Sequence, residues 1–163
     1  MKKTGIFYAS AAGTTAGVAR RIATAMGVAD GDVHDVVLSA PDDLGKYDLL
    51  IIGSSTHGNG DIEEDMADFL DGVEALDLSG KKIALFGTGN VKMASTFCDA
   101  VGKMYGRLKD TGATFVGRFP ADEYTFVSSA ACDGDTMLGL VIDENNYPEI
   151  TDGRIDRWVK LLY

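Results

Sequence analysis

Two hydrophobic rhythms take turns along this chain. Thr4–Ala9 is a largely apolar run of strand length, and it ends in the small, polar stretch Ser10-Ala11-Ala12-Gly13-Thr14-Thr15. Val18, Ile22 and Met26 then recur at four-residue spacing, one apolar helical face, and Gly27 stands where that helix would stop. A short strand over Val33–Val36 and a polar stretch around Pro41-Asp42-Asp43 follow. Leu49-Leu50-Ile51-Ile52-Gly53 is apolar without a break, as a strand covered by helices on both faces would be. After the loop Ser54–Gly60, Ile62, Met66, Phe69, Leu70 and Val73 predict one helical stripe, with Glu63, Glu64, Asp65, Asp68 and Asp71 on the opposite, solvated face.

The cycle repeats. Lys82–Gly87 reads as a fourth strand, residues 88–94 as a loop, and Phe97, Val101, Met104, Tyr105 and Leu108 as the buried face of a third helix. Ala113–Gly117 begins a fifth strand, and Leu138–Ile142 continues it or pairs with it. Between them Pro120–Met137 is polar and loop-like, an insertion within that strand. The last helix, capped by Thr151 or Asp152, presents Ile155, Trp158, Val159 and Leu162, with Trp158 in the core. Alternating strands and helices predict an α/β fold with a parallel sheet. Neither a linker nor an internal repeat divides it, so residues 1–163 are expected to form one domain.

Charge narrows the partners. Asp and Glu number 25 against 15 Lys and Arg, a net charge of −10. Such a surface repels nucleic-acid backbones and anionic membranes and attracts basic proteins. No apolar run approaches the roughly 20 residues that cross a bilayer, and Met1-Lys2-Lys3-Thr4 carries no secretory pattern, so a cytoplasmic monomer is expected. Cys98 and Cys132 form no CxxC or Cys/His grouping, which favours reduced thiols over a disulfide framework or a zinc site.

In a doubly wound sheet ligands bind beyond the carboxyl ends of the strands. Three loops leave those ends, residues 9–15, 54–61 and 88–95, all rich in Gly, Ser, Thr and Asn, and none holds a catalytic triad. The first opens onto a helix N-terminus, a natural anion site, with Ser10, Thr14 and Thr15 as neutral donors; a plain turn with a Ser/Thr cap is the competing reading. A Walker loop would need a lysine after Gly13, and a dinucleotide fingerprint would need two further glycines. A phospho-receiver would need acids after strands one and three, where Ala9-Ser10 and Gly53-Ser54 stand.

Taken together, the three loops, Phe7-Tyr8, Gly58 to Asp68, Phe86-Gly87-Thr88-Gly89-Asn90 and the closing Gly139–Asn146 and Thr151–Val159 runs resemble the flavodoxin family over essentially the whole chain. The insertion at Pro120–Met137 matches its longer-chain branch. The resemblance implies a flavodoxin-like three-layer sandwich with a five-stranded parallel sheet in the order 2-1-3-4-5. It also implies one non-covalently bound flavin mononucleotide (FMN), low-potential electron transfer between a reductase and an acceptor, and no substrate of the protein's own. Residues Ser10, Ala11, Ala12, Gly13, Thr14 and Thr15 would hold the phosphate. Ser55, Thr56, His57, Gly58, Asn59 and Gly60 would cover one face of the ring, and Thr88, Gly89, Asn90 and Met93 the other. Asn145, with Asn146 near it, would lie towards the ribityl chain or phosphate. On reduction a carbonyl of the Gly58-Asn59 peptide would turn towards N5 of the ring, which glycine makes cheap.

Some positions depart from that pattern. Ala12 replaces a common Thr, His57 a common Trp and Met93 a common Tyr, while Asn90 and Asn145 stand where acids are frequent. Two other functions stay open: an FMN-dependent reductase of a small molecule, and, suggested by Ala12 and His57, a flavodoxin-like binding module without cofactor.

Overall fold

The computed structural model describes residues 3–93 and 95–163. Strand β1 (Thr4–Ala9) lies between β2 (Val33–Asp35) and β3 (Leu49–His57), and β5 (Lys82–Thr88) lies beyond β3, all parallel. The outer side of β5 is taken by two short strands in succession. β6 (Thr114–Val116) pairs with Lys82–Ala84 and β9 (Leu140–Ile142) with Phe86–Thr88. The sheet thus has five positions in the expected order, the fifth filled in two pieces. β4 (Asp61–Ile62) folds back on β3 as a hairpin, and β7 (Cys132–Asp133) pairs with β8 (Thr136–Met137) inside the insertion.

Side-chain alternation sends neighbours along each strand to opposite cores. Phe7, Leu50, Ile52 and Leu85 meet helices α2 (Glu64–Val73) and α3 (Asp99–Leu108) through Met66, Leu70, Val101 and Met104. Ile6, Ile51, Phe86 and Leu140 meet α1 (Thr14–Met26) and α4 (Thr151–Val159) through Val18, Ile22, Ile155 and Trp158. Trp158 is fully buried, and its indole N–H donates to the Gly117 carbonyl at 2.7 Å. His34 is structural: its ring stacks on Phe7 at 4.8 Å, and its Nε2 lies 2.7 Å from the Tyr47 hydroxyl.

Several local expectations are corrected. Glu63 is not on a solvated face. It is buried at the N-cap of α2, where its Oε2 accepts from the N–H groups of Asp65 and Met66 at 2.9 and 3.3 Å. Ile62 belongs to β4 rather than to the helix. Phe97 is buried but precedes α3, because Cys98 adopts a left-handed conformation with φ 53° and breaks the helical path. Neither Thr151 nor Asp152 caps α4: a 3₁₀ turn at Pro148–Ile150 runs straight into it, and the Thr151 hydroxyl donates to Glu144 at 2.7 Å.

The insertion is more than a polar loop. Tyr124, Ala131 and Met137 are buried in it. The Arg154 guanidinium, with no exposed surface, sits 4.7 Å from the Tyr124 ring and 4.9 Å from the Phe119 ring. It donates to Glu123 at 2.8 Å and to the Pro120 carbonyl at 2.7 Å. Burial alone would push the Glu123 carboxyl up, but hydrogen bonds from Arg154 and Arg157 outweigh it and hold the group below its ordinary range.

Candidate functional site

Three loops converge beyond the carboxyl ends of β1, β3 and β5. The first, Ser10–Gly13, delivers the chain into α1. Gly13 is the N-cap residue at φ 89°, a left-handed conformation that favours glycine, and no side chain caps the helix. The first turn of α1 also lacks an acid. The Ser/Thr-capped turn is therefore not what forms; the Ser10 hydroxyl instead accepts from the Gly13 N–H at 3.0 Å. Thr15 is buried, with its hydroxyl oxygen 2.9 Å from that of Thr88, so the helix start is keyed to the end of β5.

The second loop is shorter than expected. β3 continues through His57, and the turn is confined to Gly58-Asn59-Gly60 before β4 returns along Thr56 and His57. The Gly60 N–H closes it on the His57 carbonyl at 2.9 Å, which makes Gly58–Asn59 its central peptide. Gly58 has φ 51° and Gly60 φ 91°. A Cβ at Gly60 would lie 2.5 Å from the Asp99 carboxyl, so this turn cannot carry a side chain there. The His57 imidazole is exposed and its Nε2 lies 2.7 Å from the Ser55 hydroxyl.

The third loop hangs from β9 and the residues after it. The Gly89 N–H donates to the Ile142 carbonyl at 3.0 Å and the Val91 N–H to Asp143 at 2.9 Å. The Asn90 side-chain oxygen accepts from the Lys92 N–H at 2.9 Å and from Asn146 at 2.7 Å. Met93 is 57% exposed. Ala94, part of the expected loop, lies outside the described residues. Cys98, beside Gly89, is fully buried; burial pushes its thiol well above the ordinary range, so it offers no reactive thiolate.

Between the loops is a cavity of about 160 Å³. Ser10, Ala11, Ala12, Thr14 and Thr15 line one side; Ser55, Thr56 and His57 a second; Thr88, Gly89, Asn90 and Asn145 a third. A further cavity of about 120 Å³ shares Thr56, Gly89 and Asn90 and adds Gly58, Met93 and Thr96. The cleft thus gathers most of the candidates. Gly13, Asn59 and Gly60 are not on its walls: they shape the turns. Asn146 is also off the walls, its amide spanning Asp143 and Asn90. Sequence reasoning missed Thr96, and it gave Asp143 no role of its own, naming it only within the Gly139–Asn146 run.

These features define a doubly wound α/β protein whose ligand cleft opens where strand order reverses, between β1 and β3. The cleft's donors are neutral, with an uncapped helix N-terminus at one end. The chain belongs to the flavodoxin family: the family model described as flavodoxin matches residues 6–158. It is 40% identical to flavodoxin 1 of Escherichia coli over 164 residues, covering 99% of this chain and 93% of the relative. Identity to flavodoxin 1 of Azotobacter vinelandii is 39% over 167 residues, covering 99% and 96%. Among solved structures, Fusobacterium nucleatum flavodoxin bound to flavin mononucleotide superposes with a TM-score of 0.91 at 27% identity, covering 98% of this chain and 96% of that one. No helix among the described residues is long and apolar enough to cross a membrane.

Proposed function

We propose that this chain carries electrons one at a time, at low potential, on FMN held without a covalent bond in the cleft between the three loops. The observation that carries the reading is the helix α1 N-terminus, free of side-chain cap and acid, opening into a cavity lined by hydroxyls. Unpaired N–H groups and the helix dipole there suit a phosphate without any lysine or arginine. Ser10, Thr14 and Thr15 add hydroxyl donors, while Ala11 and Ala12 leave the backbone open to approach.

The flavin supplies one-electron chemistry when bound, and the protein sets where its ring sits and how it is tuned. Ser55, Thr56 and His57 flank one side of the ring and Gly89, Asn90 and Met93 the other. Asn145 faces the ribityl region. At the turn tip the Gly58–Asn59 peptide would hold a proton at N5 through its carbonyl, and glycine at position 58, already at positive φ, makes the backbone angles this needs cheap. Met93 contributes a soft sulfur contact in place of an aromatic ring.

The partners are redox proteins with basic surfaces. Glu64, Asp65, Asp68 and Asp71 are exposed on α2, directly after the second loop, and the chain's net charge of −10 steers basic surfaces towards them. The reading is tested by adding FMN to the apoprotein, following fluorescence quenching, then reducing the complex anaerobically in steps. Tight binding, two resolved one-electron steps and salt-sensitive transfer to a basic acceptor protein are expected. Absence of binding would refute it, and turnover of a small molecule with a nicotinamide donor alone would favour a reductase.

A further inference from the structure

Asp143 is the first residue beyond β9, and its side chain has no exposed surface. Two of its neighbours' N–H groups, those of Asn145 and Asn146, donate to its Oδ1 at 2.9 Å each. Its Oδ2 accepts from the Val91 N–H at 2.9 Å and from the Asn146 amide at 2.8 Å. An aspartate carboxylate offers about four acceptor sites, and four donors fill them. The same Asn146 amide also donates to the Asn90 side-chain oxygen at 2.7 Å. The Asp143 N–H is itself held by the Tyr124 hydroxyl at 3.2 Å, so the hub is fixed from the insertion side as well.

Two walls of the cleft therefore hang from one carboxyl group. Its Oδ2 fixes the third loop, which carries Gly89 and Asn90, and its Oδ1 fixes the turn that carries Asn145. The N–H groups on either side of Asn90 are both taken, by Ile142 and by Asp143. The Asn90–Val91 peptide is thereby held in one orientation, and the Asn90 side chain is turned into the loop by Lys92 and Asn146. We propose that Asp143 is the positioning residue of the ring side of the cleft, setting the shape that the isoalloxazine ring meets without touching the ring itself. This rests on the FMN reading above and adds a residue to it.

Asp143→Asn must place an NH₂ group at one of the two oxygen positions. At Oδ2 it faces the Val91 N–H and frees the third loop; at Oδ1 it faces the Asn145 and Asn146 N–H groups and frees the other wall. Because neither touches the phosphate end, affinities for FMN and for riboflavin should fall together, by roughly tenfold or more, as for a lost hydrogen bond to a charged group. The visible band and the midpoint potentials of the bound flavin should move with them, which a uniform loss of stability would not cause. Native affinity for both ligands, or a loss confined to FMN, would overturn the proposal. If Asp143→Asn does not fold, Asn146→Ala decides. It cuts the link from Asp143 to Asn90 and spares the Val91 contact, so it should cost riboflavin a few-fold and shift the potentials, whereas native values would reject the role. Failure of the unsubstituted chain to bind either flavin would instead remove the FMN reading.

Discussion

Between Ser10 and Thr15 the backbone donates, among the described residues, one hydrogen bond to a side chain, from the Gly13 N–H to the Ser10 hydroxyl. Between Thr88 and Met93 the backbone is tied to Ile142, to Asp143 and to Asn90's own side chain. The difference fits what we propose each loop meets. A phosphate is small and charged, and it can organise unpaired N–H groups around itself. A flavin ring is flat and uncharged when oxidised, so it organises a loop less strongly than a phosphate does, and a wall shaped beforehand suits it. Preorganisation of that kind lowers the ordering cost of binding.

Thr15→Val tests this contrast most directly. It removes a buried hydroxyl that pairs with Thr88 at the start of α1. FMN affinity should drop by about 1.5–3 kcal/mol, the range for hydrogen bonds to charged groups, with riboflavin affinity close to native. Equal losses for the two ligands would show that the two ends of the cleft are not independent. Gly58→Val places a β-branched residue at φ 51°, a strain of about 1–3 kcal/mol. The gap between the two one-electron potentials should narrow more than FMN affinity falls; unchanged potentials would dismiss any turning of that peptide.

Asn90→Asp should be milder, because the carboxyl keeps an oxygen for Lys92 and Asn146 and adds only charge. The second one-electron potential should fall by a modest amount that salt reduces, and no shift would argue that Asn90 is remote from the ring. Glu123→Gln should leave flavin binding close to native while changing the stability profile. The folded Glu123 value lies below its ordinary 4.5, so its contribution is complete above that pH and is lost as pH falls through the folded value. The variant should melt earlier at pH 7 and lose less on acidification. Parallel acid limbs for the two proteins would contradict the pairing with Arg154 and Arg157.

Much of this was legible in the residue pattern because strands buried on both faces leave little freedom in interpretation. Leu49–Ile52 and Lys82–Gly87 lie where their apolar runs place them, and the three loops fall at the strand ends. Errors gathered where one residue decides a boundary. Glu63 reads as one acid among many until Ser54, whose hydroxyl accepts from its N–H at 3.0 Å, fixes it at the head of α2. Phe97 continues the helical spacing, and only the left-handed Cys98 separates it from α3. Asp143 gives no local sign of its contacts, since its partner Val91 lies 52 residues earlier in the chain.

The split of the fifth strand has a consequence for timing. A chain leaves the ribosome N-terminal end first, and a domain generally folds as a unit. β1, the first loop and α1 are made within the first 26 residues, whereas Asp143 and the strand that presents it occupy residues 140–143 of 163. The first loop is thus made early, but its helix start is keyed to Thr88 and the third loop to Asp143, so the cleft is completed late. A nascent chain would have no complete flavin site to fill until its last strand was in place.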